Sequence, residues 1–223
     1  GAHIAKVAAP MFKKLSLELG GKNPAIIFAD CDYDEMLQTT VRSSFANQGQ
    51  ICLCGSRIFV EASMYQKFKT DFIAAVSKLK VGNPFDTSTD IGALVSRSHL
   101  EKVKTYIDNA AQYGGKVIFG GATVSVDNSE DGYYLEPTII EVQDNSCILN
   151  QEEIFGPVVT IMPFNDENEV LAMANDVSYG LSATLWTNDL KRTMRVSKQI
   201  QAGIVWVNTW LLRDLRTPFG GVK

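Results

Sequence analysis

Short apolar runs alternate with amphipathic helical stretches along almost the whole of the 223-residue chain, and this alternation restricts the fold more than any other feature. The runs at 25–28, 57–60, 116–119, 158–162, 183–186 and 204–207 have the length and the β-branched and aromatic content of buried strands. Between them, 34–47, 64–79, 96–113, 166–174 and 189–200 carry apolar residues at helical spacing. Ser96 or Ser98 caps the third helix and Gly114-Gly115 stops it. The fold class expected is therefore α/β, a largely parallel sheet covered by helices. No repeat or low-complexity tract interrupts the order, and the polar stretch 120–133 reads as a flexible loop.

Composition sets the outer limits. A hydrophobic fraction of 45% and a charged fraction of 21% suit a globular domain with a full core. A net charge of −4 argues against nucleic acid as the main partner. Cys31, Cys52, Cys54 and Cys147 form neither a paired C-x-x-C pattern nor a dense disulfide framework. With His3 and His99 remote from them, no metal site is expected. No apolar run approaches the roughly 18 residues of a membrane span. The location expected is cytoplasmic, with a targeting peptide left open.

Three segments carry candidate chemistry. Residues 49–57, Gly-Gln-Ile-Cys-Leu-Cys-Gly-Ser-Arg, set a thiol between a helix end and a strand. Backbone N–H groups or a nearby positive charge would depress the pKa of a cysteine held there and present a thiolate. The competing reading is a packed, inert cysteine. Glu18 lies in the alternating, strand-like 15–19, which stops at Gly20-Gly21. A carboxylate at such a strand end, partly desolvated, would titrate high and suit general-base work. The alternative is a solvated edge-strand glutamate. Residues 152–157, Glu-Glu-Ile-Phe-Gly-Pro, place another carboxylate beside apolar residues and a glycine.

In order along the chain, Glu-Leu-Gly-Gly-Lys at Glu18 to Lys22, Gly-Gln-Ile-Cys at Gly49 to Cys52, Glu-Ile-Phe-Gly-Pro at Glu153 to Pro157 and Pro-Phe-Gly-Gly at Pro218 to Gly221 resemble the aldehyde dehydrogenase superfamily. The resemblance spans essentially all 223 residues but not a whole family member. It implies that 1–22 is the C-terminal remnant of a Rossmann-like NAD-binding domain. Residues 23–223 would then be the catalytic domain, without its C-terminal oligomerisation strand. Two features of the residues agree with a missing part. Ile4, Val7, Ala8, Met11 and Phe12 form an apolar helical stripe with no upstream partner, and no phosphate-binding glycine loop is present.

The resemblance also implies the roles. Cys52 would attack an aldehyde carbonyl to give a thiohemiacetal, and hydride transfer to NAD or NADP would leave a thioester. Glu18 would activate the water that releases the acid, which favours hydrolysis over transfer to coenzyme A. The backbone N–H of Cys52 would be one oxyanion donor, while an asparagine of the family's oxyanion hole would lie upstream of Gly1. Glu153 and Phe155 would contact the nicotinamide ribose and ring, with Leu19 and Gly20 as further cofactor contacts. The family spacing places the reactive thiol two residues after the glutamine, at Cys52 rather than Cys54.

Residues 43–48 and 208–218 resemble the 2-aminomuconate and 2-hydroxymuconate semialdehyde dehydrogenases, whose substrates carry a carboxylate. Arg213 would hold that carboxylate bidentately, ahead of Arg216. The competing reading is a surface arginine paired with Asp214. The partners implied are a small aldehyde and further copies of the chain in a dimer or tetramer, with no nucleic acid or membrane. Two other functions remain: a truncated, catalytically inactive binding or structural protein, and a generic cysteine hydrolase, against which the presence of only two histidines argues. The 223 residues alone are expected to be inactive, since a cofactor without its pyrophosphate anchor is poorly held.

Overall fold

A computed structural model describes residues 1–126, 129 and 131–223. Seven strands form one sheet: β1 (Asn23–Ile27), β2 (Gly55–Glu61), β3 (Gly115–Phe119), β4 (Thr138–Val142), β5 (Val158–Phe164), β6 (Ser182–Trp186) and β7 (Ile204–Val207). Their spatial order is β3-β4-β5-β2-β1-β6-β7. Every pairing is parallel except that of β3 with β4. The helices are α1 (Ala2–Ala8), α2 (Tyr33–Phe45), α3 (Tyr65–Val76), α4 (Arg97–Asp108), α5 (Ile148–Gln151), α6 (Glu167–Asn175) and α7 (Leu190–Gln199). The α/β reading of the sequence is met.

Both faces of the sheet are buried, which is why the central strands read as unbroken apolar runs. Successive side chains point to opposite faces. Ala25 and Ile27 of β1 join Ile58, Val60 and the inner sides of α2 and α3. Ile26 and Phe28 join Phe59, Leu185 and the inner sides of α6 and α7. A third cluster beneath α4 joins Val103 and Ile107 to Ile140, Val142 and Val158. Each large apolar side chain removed from water contributes about 1.5–3 kcal/mol, so this two-sided burial outweighs the local signals.

Those local signals agree with it. Asp32, Ser96, Asp166 and Asp189 each accept an N–H of the first turn of α2, α4, α6 and α7, and a cap of this kind contributes about 1 kcal/mol. Ser96, rather than Ser98, is the cap of α4.

Three expectations need correction. Residues 15–19 form no strand, because both sheet edges, β3 and β7, leave them unpaired. β4 is a buried strand that the apolar-run reading passes over. The short α5 is likewise unanticipated. The loop expected at 120–133 falls partly outside the described residues, at 127, 128 and 130, and its described part holds only an isolated bridge from Thr123 to Leu135. The apolar stripe of α1 and the following turn is exposed at Ile4, Val7, Met11 and Phe12. Among the described residues no helix is long and apolar enough to cross a membrane.

Parallel strands share one amino-terminal edge. Gly20–Lys22 enter β1 there, Cys52–Cys54 enter β2, and Glu153–Pro157 enter β5. Three loops far apart in sequence thus meet at one edge of the sheet.

Candidate active site

The nucleophile loop leaves α2 through a single 3-10 turn, Ala46–Gly49, in which Asn47 and Gln48 both take left-handed backbone angles. Gly49 follows at φ 67°, and a Cβ there would lie 2.1 Å from the Gly156 carbonyl oxygen. The glycine of the Gly-Gln-Ile-Cys box is therefore required where the nucleophile loop presses on the Glu153–Pro157 turn.

Side chains then pin the loop. The Asn23 Nδ2 donates to the carbonyls of Cys52 at 2.7 Å and Cys54 at 2.8 Å, while its Oδ1 accepts the Ser182 N–H at 3.1 Å. Trp210 Nε1 donates to the Leu53 carbonyl at 2.9 Å. Gln48 donates to the Ala93 carbonyl and Gln50 accepts the Val95 N–H, each at 3.1 Å. Cys52 is left half-buried beside Glu18, Leu19, Gly20, Gln50, His99, Lys102, Glu153 and Phe155, in an open cleft of about 610 Å3.

The electrostatics differ from the expectation. Burial, followed by the Glu18 carboxylate, pushes the Cys52 thiol above its ordinary range, and its own backbone N–H only partly offsets this. A resting thiolate was expected, but the facing charge is negative. Cys54 is more deeply buried and is pushed up to about 12, which leaves Cys52 the more reactive of the pair. Burial and Asp30 raise Cys31 to about 11, and burial also raises Cys147.

Glu18 is exposed and accepts the Gly20 N–H at 3.1 Å, so the desolvation expected at a strand end is absent along with the strand. Glu153 is half-buried and accepts the Gly21 N–H at 2.9 Å. Burial raises its carboxyl; the Gly21 bond and the Lys102 and Lys22 charges pull the other way. A Cβ at Gly20, which sits at φ 82°, would fall 2.3 Å from Glu153 Oε2. The Gly-Gly pair is thus the seat of the Glu153 carboxylate. Phe155 takes φ 60°, and His99 Nε2 donates to its carbonyl at 2.6 Å. A carbonyl can only accept, so Nε2 carries the proton.

Arg213 lies elsewhere. It borders a separate cavity of about 130 Å3 with Trp206, Leu212 and Phe219, its guanidinium 5.1 Å from the Phe219 ring centroid. Asp214 pairs with Arg216, not Arg213. The two regions are joined by one apolar cluster that holds Leu53, Trp206 and Trp210, with Cys52 and Phe219 packed against it. The structure therefore brings Cys52, Glu18, Leu19, Gly20, Glu153 and Phe155 together and leaves Arg213 beyond an apolar wall. Among the described residues, no group of three or more His, Cys, Asp or Glu side chains could hold a metal ion.

The aldehyde dehydrogenase family model matches residues 1–223. The chain belongs to that family. This aldehyde dehydrogenase chain is 54% identical to a 2-aminomuconic semialdehyde dehydrogenase of Danio rerio over 99% of its own length and 46% of the relative's. It is 45% identical to a Pseudomonas 2-aminomuconic 6-semialdehyde dehydrogenase over 99% of its length and 45% of the relative's. A crystal structure of betaine aldehyde dehydrogenase from Staphylococcus aureus in complex with NAD+ superposes with a TM-score of 0.94 at 39% identity, covering 100% of this chain and 44% of that one. The chain spans about half the length of the curated relatives it matches.

The Cys52 cleft of this aldehyde dehydrogenase chain also holds residues that sequence reasoning missed. Asn23 was hidden because its partners are 29, 31 and 159 positions away. His99 and Lys102 stand three apart on one face of α4, a spacing visible in the sequence but uninformative until the Glu153–Pro157 turn packs on that helix.

Proposed function

We infer that the full-length protein containing this chain oxidises a carboxylated semialdehyde to the corresponding acid with NAD or NADP. The observation that carries the reading is the convergence of Cys52, Glu18, Glu153 and Phe155 on one cleft. The names of the relatives support the semialdehyde class. Nothing in the site favours a non-enzymatic binding protein.

The residues present suit the nicotinamide-riboside end of the cofactor. Glu153 keeps one oxygen on the Gly21 N–H, which leaves its other oxygen to accept ribose hydroxyls, and Phe155 offers an aromatic face in the same cleft. When bound, the cofactor supplies the hydride acceptor. Leu19 and Gly20 line the same cleft and would contact it there.

The chain's own residues do the rest. Cys52 gives up its proton to the facing Glu18 carboxylate and attacks the carbonyl carbon, forming a thiohemiacetal whose oxygen is met by the Cys52 backbone N–H. Once the acyl group stands on Cys52 as a thioester and Glu18 has passed the thiol's proton to solvent, Glu18 takes a proton from water, the hydroxyl adds to the thioester carbon, and the C–S bond breaks to release the acid and return Cys52 as its thiolate. A carboxylate exposed to the cleft can reach both the thiol and the incoming water. Arg213 is assigned the clamp for the substrate carboxylate, from its own cavity on the far side of the apolar cluster of Leu53, Trp206 and Trp210. Within this reading, residues 1–22 belong to a cofactor domain and 23–223 to the catalytic domain. The protein works in the cytoplasm as a dimer or tetramer.

The test is steady-state reduction of NAD by the full-length protein, with a carboxylated semialdehyde and with an uncharged aldehyde of similar size. Turnover that disappears in Cys52→Ala supports the reading. Turnover that survives in Cys52→Ala, or a protein inert toward every aldehyde with cofactor bound, overturns it.

A further inference from the structure

Lys22 is buried to 1% exposure, and its Nζ has no hydrogen-bond partner among the described residues. Ser56 Oγ is also buried without a partner. Both residues line the same small cavity, about 20 Å3, between the loop of Gly49, Ile51 and Cys54 and the turn of Glu153 and Phe155. Two residues with unsatisfied polar groups lining one small cavity are unusual, because buried polar atoms almost always find partners.

The void has the size for one water, which needs two to four polar partners. A lysine Nζ donates, and a serine hydroxyl donates or accepts. We propose that one internal water, held by Lys22 Nζ and Ser56 Oγ, fills this cavity and makes Lys22 a positioning residue that fixes the cofactor turn carrying Glu153 against the nucleophile loop. The cofactor half of this proposal rests on the assignment of Glu153 made above.

The charges around Lys22 give the proposal a signature. Burial and Arg57 push its ammonium down to about 7, while Cys147, Glu153 and Glu152 act in the opposite sense. Burial and the Glu18 charge raise the Glu153 carboxyl, and the Gly21 N–H, Lys102 and Lys22 lower it. Below neutral pH, where Lys22 is charged, it therefore helps to keep Glu153 ionised. Loss of the amine raises Glu153 further, and the acid limb of cofactor binding moves to higher pH. A residue that merely fills space would not move that limb.

The experiment uses the full-length protein. A high-resolution crystal structure should show a solvent peak within hydrogen-bond distance of Lys22 Nζ and Ser56 Oγ. Titration of NAD by fluorescence across the acid range should show the limb displaced to higher pH in Lys22→Met. In Ser56→Ala the water should weaken or vanish while the limb stays put, because the amine is retained. An empty cavity in the wild-type crystal overturns the proposal whether or not Lys22→Met folds. An unmoved limb in a folded Lys22→Met, or an equal shift in Ser56→Ala, overturns the role given to the amine. Diffraction needs no turnover, so an inactive protein with the water in place would sink the proposed function and leave the water site standing. A protein that binds NAD without either signature would do the reverse.

Discussion

Cys52 and Glu18 face each other in one cleft, and burial together with the Glu18 carboxylate holds the Cys52 thiol above its ordinary range. Cys52 therefore rests as a thiol, and in the proposed mechanism its proton passes to Glu18. Glu18→Gln removes the negative charge and should lower the thiol's pKa. Alkylation of Cys52 by iodoacetamide should then rise at lower pH than in the wild type, since reactivity follows the thiolate fraction. A midpoint that is unchanged or displaced upward would contradict the arrangement.

Asn23 ties the nucleophile loop to the sheet through the carbonyls of Cys52 and Cys54 and the Ser182 N–H. Asn23→Ala strands these buried groups, at a cost of about 2–4 kcal/mol of stability. Chemical denaturation should register that loss. A loss below about 0.5 kcal/mol would show that the three bonds do not hold the loop.

Gly20→Ala tests the seat of Glu153. The added Cβ would meet Glu153 Oε2 at 2.3 Å on a backbone already at φ 82°. The carboxylate must move, so affinity for NAD should fall by about tenfold or more, the equivalent of about 1.4 kcal/mol. Unaltered affinity with a folded protein would mean that Glu153 does not hold the ribose.

Arg213 is expected to select charged substrates. Loss of a charge-assisted bidentate contact costs about 2–3 kcal/mol. Arg213→Ala should therefore depress kcat/KM for a carboxylated semialdehyde and spare an uncharged aldehyde. Equal losses on both would make Arg213 part of the Phe219 packing and no more.

The sheet was legible in the sequence because its central strands are buried on both faces, and Ala25–Ile27 or Ile58–Val60 can be read as unbroken apolar runs. β4 was not, because Glu141 interrupts its run. That charge is tolerated in the fold because Tyr65 and Lys69 from α3 each bond to it at 2.8 Å. Residues 15–19 alternate like a strand but have no neighbouring strand, and a period of two says nothing about whether a partner exists. Cys52, Glu18 and Glu153 could be picked out as residues beside glycine turns. The sign of the Cys52 shift could not, since it is set first by burial in the folded cleft and then by Glu18 arriving from 34 positions away. The same is true of Lys22, whose sequence neighbours give no hint of burial beside a small cavity.

The central claim is that Cys52 is the residue that carries the acyl group. The most direct measurement is peptide mapping by mass spectrometry of full-length Glu18→Gln, quenched after a single turnover with semialdehyde and NAD. Release of the acyl group is slowed in that variant, so an acyl adduct should accumulate on Cys52, with Cys54, Cys31 and Cys147 unmodified. An adduct on Cys54, or cofactor reduction with no adduct on Cys52, would contradict the account.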